Sequence, residues 1–367
     1  METIVHFGMP KTGTTTLQRT FTINAGRLLK AGILYPVNLS SSSINHRILA
    51  FYAMDPSSYP RHMRQLASLE HSTHCMDELN TAILKGIAWH RPSYLVLSAE
   101  SLFTKIRKHK QALYRDYLLG LGDSLRFVAY LRAPAEAYLS LCQQKLKASQ
   151  RLSIVAPPRY KDVVMSYQQV FGACSMYLLP FERDRFAGGD IVRDFCERHL
   201  SGSRLNVDRL ARKEDSNMSL SAEAMAVIRQ YRRTFCSGQD DIHTKGSKKL
   251  IRSLRDADQA LGAARPRLLD DVRHQLESLA AEDLLWLRDH CAIQFRSCDY
   301  NKLLAPPPLF NRFSGRREPQ NLQEIVHLDA SLFYGLVDYL ADQRFIRRSS
   351  EMLAWLMELR RCPLASL

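Results

Sequence analysis

Four runs of strand length, TIVHF (3–7), YLVLS (94–98), LRFVAYLR (125–132) and SMYLLPF (175–181), are apolar almost throughout, with stretches long enough for helices between them. Strands buried on both faces read this way, and the intervening helices supply the crossovers that a parallel sheet requires. The expected fold is therefore α/β, a parallel sheet flanked by helices. In such sheets ligands bind beyond the carboxyl ends of the strands, so the residues that follow each run are the candidates for chemistry. Helical periodicity is read at 101–119 and 134–149, and from about residue 201 it dominates, as in SLSAEAMAVIRQYRR and LLDDVRHQLESLAAEDLLWLRDHCAI. SGQDDIHTKGSKK (237–249) reads as a polar, mobile loop, APPP (305–308) opens a Pro- and Arg-rich connector, and 330–361 is helical again. The expected organisation is one principal domain over 1–303 and a helical C-terminal extension over 304–367.

The chain has 367 residues, 46% of them hydrophobic and 24% charged, which suits a folded protein with a sizeable core and not a disordered one. A net charge of +14 favours an anionic partner: a nucleotide, a nucleic acid, an acidic glycan or a lipid surface. Eight scattered cysteines include no C-x-x-C pair and no zinc-type spacing, so they are expected to be reduced thiols. No charged and apolar leader opens the chain, and no apolar run approaches the roughly 18 residues of a membrane span. The expectation is a cytoplasmic protein.

The loop after the first run, HFGMPKTGTTTLQR (6–19), spaces Gly8 and Gly13 as in the G-x-x-x-x-G-K-[ST] loop that holds ATP or GTP. Thr14 stands where that loop has its lysine, and Lys11 comes three residues earlier. Leu17, Phe21 and Leu28 repeat at helical period, so strand, loop and helix follow in order. This P-loop-like arrangement aims the backbone N–H groups of Lys11 to Thr15 at one anion, with the partial positive charge of the helix N-terminus behind them. Thr14, Thr15 and Thr16 add hydroxyls, and Lys11 can meet a second anionic group.

Two further strand ends carry polar chemistry. Arg132 closes the third run, Pro134 suits a first helical turn, and Ser140 lies about 9 Å farther along that helix. A guanidinium and a hydroxyl so placed can converge on one phosphate. Glu100 follows the second run, where it can be a helix-start carboxylate favoured by the dipole or a general base aimed into the crevice.

Together these motifs resemble the sulfotransferases that use 3′-phosphoadenosine 5′-phosphosulfate (PAPS). The first signature of that family is matched by Pro10, Lys11, Thr12, Gly13, Thr14, Thr15, Thr16 and Leu17, and the second, an arginine at a strand end with a serine eight residues on, by Arg132 and Ser140. The resemblance covers roughly residues 1–303, with NMSLSAEAMAVIRQYRR (217–233) and EDLLWLRDHCAIQF (282–295) similar to helical stretches of bacterial members that act on carbohydrates. It implies that the loop binds the 5′-phosphosulfate, that Lys11 faces the bridging oxygen, that Arg132 and Ser140 bind the 3′-phosphate, and that no metal is needed. The implied acceptor is a hydroxyl, of a saccharide or glycolipid in the first instance, with small phenols, alcohols and lipids left open, and the product nucleotide is adenosine 3′,5′-bisphosphate. Arg212 and Lys213 are the candidates for the basic residue that closes the nucleotide site, although the chain lacks the Arg-Lys-Gly triplet of the animal cytosolic enzymes. For the base, Glu100 and His46 both stay open.

Two other classes compete. A P-loop kinase or other ATP-using enzyme needs a lysine after Gly13, where this chain has threonine. A nucleic-acid-binding protein is suggested by the basic stretches TKIRKHK (104–110) and KGSKKLIRSLR (245–255), which lack interleaved aromatics, so no nucleic-acid partner is expected. In the C-terminal region Leu332, Leu336, Leu340, Leu353, Leu356 and Leu359, with Trp355, fit amphipathic helices. Docking on the protein's own core, a dimer contact and a peripheral membrane contact are the three readings of that face.

Overall fold

The four apolar runs become strands of one parallel sheet, joined by a two-residue edge strand: β1 (Glu2–His6), β2 (Ile33–Leu34), β3 (Tyr94–Ser98), β4 (Ser124–Leu131) and β5 (Met176–Pro180). The computed structural model describes residues 1–37, 44–58, 68–152, 159–172, 176–212, 219–303, 319–343, 346 and 349–363. Sheet order is β2-β3-β1-β4-β5, and every neighbouring pair is parallel. The fold is thus α/β with a five-stranded parallel sheet flanked by helices.

The chain forms two compact units that interleave in sequence, whereas the sequence reading placed a single boundary near residue 303. The first contains residues 1–133, 159–215 and 283–298; the second contains 134–158, 216–282 and 299–367. In the first unit β1 is central and buried from Thr3 to His6, because helices cover both sides of the sheet. On one side Ile4, Val128 and Tyr130 pack against Leu17 and Phe21 of the helix α1 (Thr14–Ile23) and against Phe195. On the other, Phe7 and Phe127 meet an aromatic layer from Tyr167 and Phe171, with ring centroids 4.6 to 5.7 Å apart. Aromatic contacts at these separations are favourable beyond the area they bury.

Two expectations, one in each unit, are corrected. Residues 101–119 do not form one helix: a 3-10 turn spans Glu100–Leu102 and the α-helix is confined to Gln111–Leu119. The backbone between them is drawn away from helical bonding, since Arg107 N–H donates to Ala53 O at 3.1 Å and Ile106 N–H to the Ser166 hydroxyl at 3.3 Å. The polar segment 237–249, in the second unit, contains a helix start, because Thr244 caps Lys245–Ala260 by accepting from Ser247 N–H.

The second unit is helical. Its core brings Ala135, Tyr138 and Cys142 together with Met225, Ile228, Leu250 and Leu254, and with Phe333, Leu336, Leu340, Trp355, Leu356 and Leu359. The helices Ala330–Ala341 and Ser350–Arg361 therefore bury their apolar stripe in the core of their own unit, as one of the three readings held. The connector at 304–318 lies outside the described residues. Among the described residues no helix is long and apolar enough to cross a membrane.

Candidate functional site

Parallel pairing brings the carboxyl ends of three strands to the same end of the sheet. His6, the last residue of β1, stands in register with Ser98 of β3 and Val128 of β4, so the chain leaves β1 between the segments that follow its two neighbours. The loop 7–13, Glu100 and Arg132 consequently lie at the carboxyl end of the sheet, although 86 to 121 residues separate the partners that bond there.

The loop's shape comes from a few backbone constraints. Lys11 and Gly13 have positive φ, 68° and 75°, and Gly13 is the N-cap of α1, which opens without a side-chain cap. The first N–H groups of a helix have no intrahelical acceptor, and with two left-handed residues before them they form a concave donor surface suited to an anion. Gly13 is favoured by its left-handed φ, and a Cβ there would also crowd Phe181 at 3.3 Å and Ile191 at 3.4 Å. Gly8 allows the loop to close over His6, whose Nε2 would stand 2.7 Å from a Cβ at that position. The Thr12 hydroxyl donates to Met9 O at 2.6 Å and is fully buried, so it shapes the turn. Pro10 is exposed, while Thr15 and Thr16 are half-buried on the first turn of α1.

Three side chains converge on this loop. Arg132 donates from Nη1 to Lys11 O at 2.9 Å, lies over the Phe181 ring at 5.7 Å, and has its own carbonyl bonded by the Tyr160 hydroxyl. Glu100 accepts from the Thr14 hydroxyl at its Oε2, 2.8 Å away. Lys11 is half-buried, and its pKa is held below the ordinary lysine range, chiefly by desolvation; the Glu100 carboxylate opposes that effect and the Arg132 guanidinium adds to it. A cation, a carboxylate and a guanidinium therefore meet where an anion and a hydroxylic substrate can be held together.

The remaining sequence candidates have different surroundings. His46 is buried with both ring nitrogens engaged: Nδ1 accepts from Ser98 N–H and Nε2 donates to Pro36 O, each at 2.8 Å. A ring so committed is poorly placed to take a proton from a substrate. Arg212 pairs with Asp190 at 3.2 Å, next to the Ile191 that packs on Gly13. Lys213 lies outside the described residues. Ser140 sits half-buried on the helix Pro134–Leu146 of the second unit.

Behind the loop is a buried polar network that the sequence did not announce. The Ser98 hydroxyl bonds His6 Nδ1 at 2.8 Å and accepts from Gln18 at 3.1 Å, so β3, β1 and α1 are fastened beneath the loop. His6, His46 and His199 are all buried, and burial is the first cause that lowers their pKa, to about 3, 4 and 4. Each folded value lies below the unfolded value near 6.5, so between those limits the unfolded chain binds protons that the fold does not. Stability is expected to be fully present above about pH 6.5 and to fall by several kcal/mol as pH drops toward 4. Urea unfolding midpoints measured from pH 8 to pH 4 check this, and a midpoint unchanged across that interval would mean these histidines are not buried in neutral form.

Comparison of the chain with protein-family models, with curated proteins and with solved structures finds no match in any of the three.

Proposed function

We propose that the protein is a sulfotransferase that moves a sulfuryl group from PAPS to an acceptor hydroxyl, and that its β1 loop is P-loop-like in use as well as in spacing. The observation that carries this reading is the position of Lys11. It stands inside the loop, its carbonyl held by Arg132 and its ammonium within electrostatic reach of Glu100 and Arg132, while Thr14, where an ATP-binding loop has lysine, gives its hydroxyl to Glu100. The uncapped start of α1 and the left-handed residues before it fit a phosphate group, and the half-buried ammonium fits the charge that develops on a departing phosphate oxygen.

When bound, PAPS supplies a sulfuryl group on a phosphate leaving group. The chain's own residues then have distinct tasks. Amides of Lys11 to Thr15 bind the anion, and Lys11 neutralises negative charge on the leaving side. Arg132 fixes the loop through Lys11 O and brings a positive charge to the 3′-phosphate, for which Ser140 is assigned by the sequence signature alone. Glu100, oriented by Thr14, takes the proton of the acceptor hydroxyl. Alignment and preorganised charge supply the acceleration, and no step calls for a metal.

Thermal unfolding with adenosine 3′,5′-bisphosphate, with ATP and magnesium, and with neither tests the reading. A ligand specific for the fold stabilises it by about 2.7 kcal/mol at a hundredfold excess over its Kd. A raised Tm with the bisphosphate alone is the expected result. A rise confined to magnesium ATP would return the loop to the kinases.

A further inference from the structure

The basic run TKIRKHK (104–110) has no task in the transfer itself, yet it begins four residues after Glu100. Lys105 can lie no farther than about 17 Å from Glu100 along the chain, and the intervening 3-10 turn shortens that reach. The run is fastened to the segment 46–58, which is itself tied to the end of β3 by His46 N–H donating to Ser98 O at 2.9 Å.

Three of its basic side chains are already committed. Asp55 accepts from His109 at 2.8 Å and pairs with Arg107 at 3.6 Å, and the Lys110 ammonium lies 4.7 Å from the centroid of the Phe51 ring. With the backbone bonds of Ile106 and Arg107, these contacts fasten the run to Ser166 and to the segment 46–58, whose helical turns Arg47–Leu49 and Ala50–Ala53 pack against the turn Glu100–Leu102. Lys105 and Lys108 project from the run, exposed, and among the described residues neither has a carboxylate partner. Over 50–58 and 100–110 the charged residues are Lys105, Arg107, Lys108 and Lys110 against Asp55 and Glu100. A run that is net positive near a carboxylate base attracts an acceptor of opposite charge and sets it away from the base.

We propose that the acceptor carries an anion of its own, a carboxylate or a phosphate ester, which Lys105 and Lys108 hold while its hydroxyl faces Glu100. This rests on the sulfotransferase reading and adds the charge class of the substrate. The neighbouring carboxylate, Asp55, pairs with Arg107 and His109 and not with either lysine.

Calorimetric binding to the full chain, with adenosine 3′,5′-bisphosphate present, tests the proposal with three probes: a tetrasaccharide alternating glucuronic acid and N-acetylglucosamine, a neutral N-acetylglucosamine tetrasaccharide, and glucose 1-phosphate. At least one acidic probe is expected to bind about tenfold more tightly than the neutral one, and to weaken as salt is raised from about 0.05 to about 0.3 M. The Lys105→Ala/Lys108→Ala variant is expected to lose that preference. Its stabilisation by the bisphosphate is expected to be unchanged, and Lys85→Ala, in the C-terminal part of the helix Leu69–His90, to bind like the parent. Preference for the tetrasaccharide assigns the anion as a uronate, and preference for glucose 1-phosphate assigns it as an ester. Equal binding of the neutral probe, no binding of either acidic probe, or a preference that survives loss of both lysines overturns the proposal. Failure of the sulfotransferase reading is recognised separately, by the absence of any stabilisation by the bisphosphate.

Discussion

Lys11→Met is expected to lower kcat for sulfuryl transfer by about 10²–10³-fold while the bisphosphate still stabilises the fold. The magnitude is that of removing one preorganised group from a charge that develops in the transition state. Methionine keeps much of the side-chain volume and removes the ammonium, and the loop's tie to Arg132 uses the Lys11 carbonyl, which the substitution does not touch. Arg132→Ala should behave differently. It removes the donor to Lys11 O and the positive charge over Phe181, so the loop loses support and nucleotide binding falls together with rate. Initial rates with labelled PAPS and an acidic saccharide acceptor, paired with Tm shifts by the bisphosphate, separate the two patterns. Wild-type turnover by Lys11→Met would remove the ammonium from the reaction and leave Lys11 as a residue of the turn.

The contrast between these two residues shows what a sequence can carry. Lys11, Gly13 and the threonines that follow were legible because a loop between a strand and a helix is built from contiguous residues whose backbone types are constrained. The strands were legible for the same local reason: the run YLVLS coincides with β3, and the other three runs differ from their strands by one or two residues. β2 was missed because Ile33–Leu34 is two residues long, too short for any periodicity. Sheet order was not legible either, since β1 pairs with β3 and β4 and not with the strand next in sequence.

Contacts that cross the chain were the least visible. No local pattern says that Tyr160 bonds the Arg132 carbonyl, that Phe181 and Ile191 press on Gly13, or that Ser98 lies between His6 and Gln18. His46 illustrates the cost. As a histidine before a helical stretch it was a fair candidate base, and only its two bonds, to Ser98 N–H and Pro36 O, show a ring used for structure. The run 104–110 is the converse case: its composition raised only a nucleic-acid partner, and its anchoring to Ala53 and Asp55 fastens it to the segment 46–58.

Glu100→Gln separates the base from the scaffold most directly. The amide is nearly isosteric with the carboxylate, and its carbonyl oxygen can still accept from the Thr14 hydroxyl, so the turn at Glu100–Leu102 and the first turn of α1 keep their link. What the substitution removes is the carboxylate to which the acceptor's proton is assigned. Loss of a positioned general base is expected to lower kcat by about 10²–10⁴-fold, with KM for PAPS and the bisphosphate Tm shift near those of the parent. Glu100→Ala should lower kcat at least as far and also weaken stability, since the Thr14 hydroxyl, on a side chain only 2% exposed, loses its acceptor. Full turnover by Glu100→Gln would assign the proton to another acceptor. With both nitrogens of His46 engaged, that acceptor would have to be sought elsewhere at the end of the sheet where β3, β1 and β4 finish.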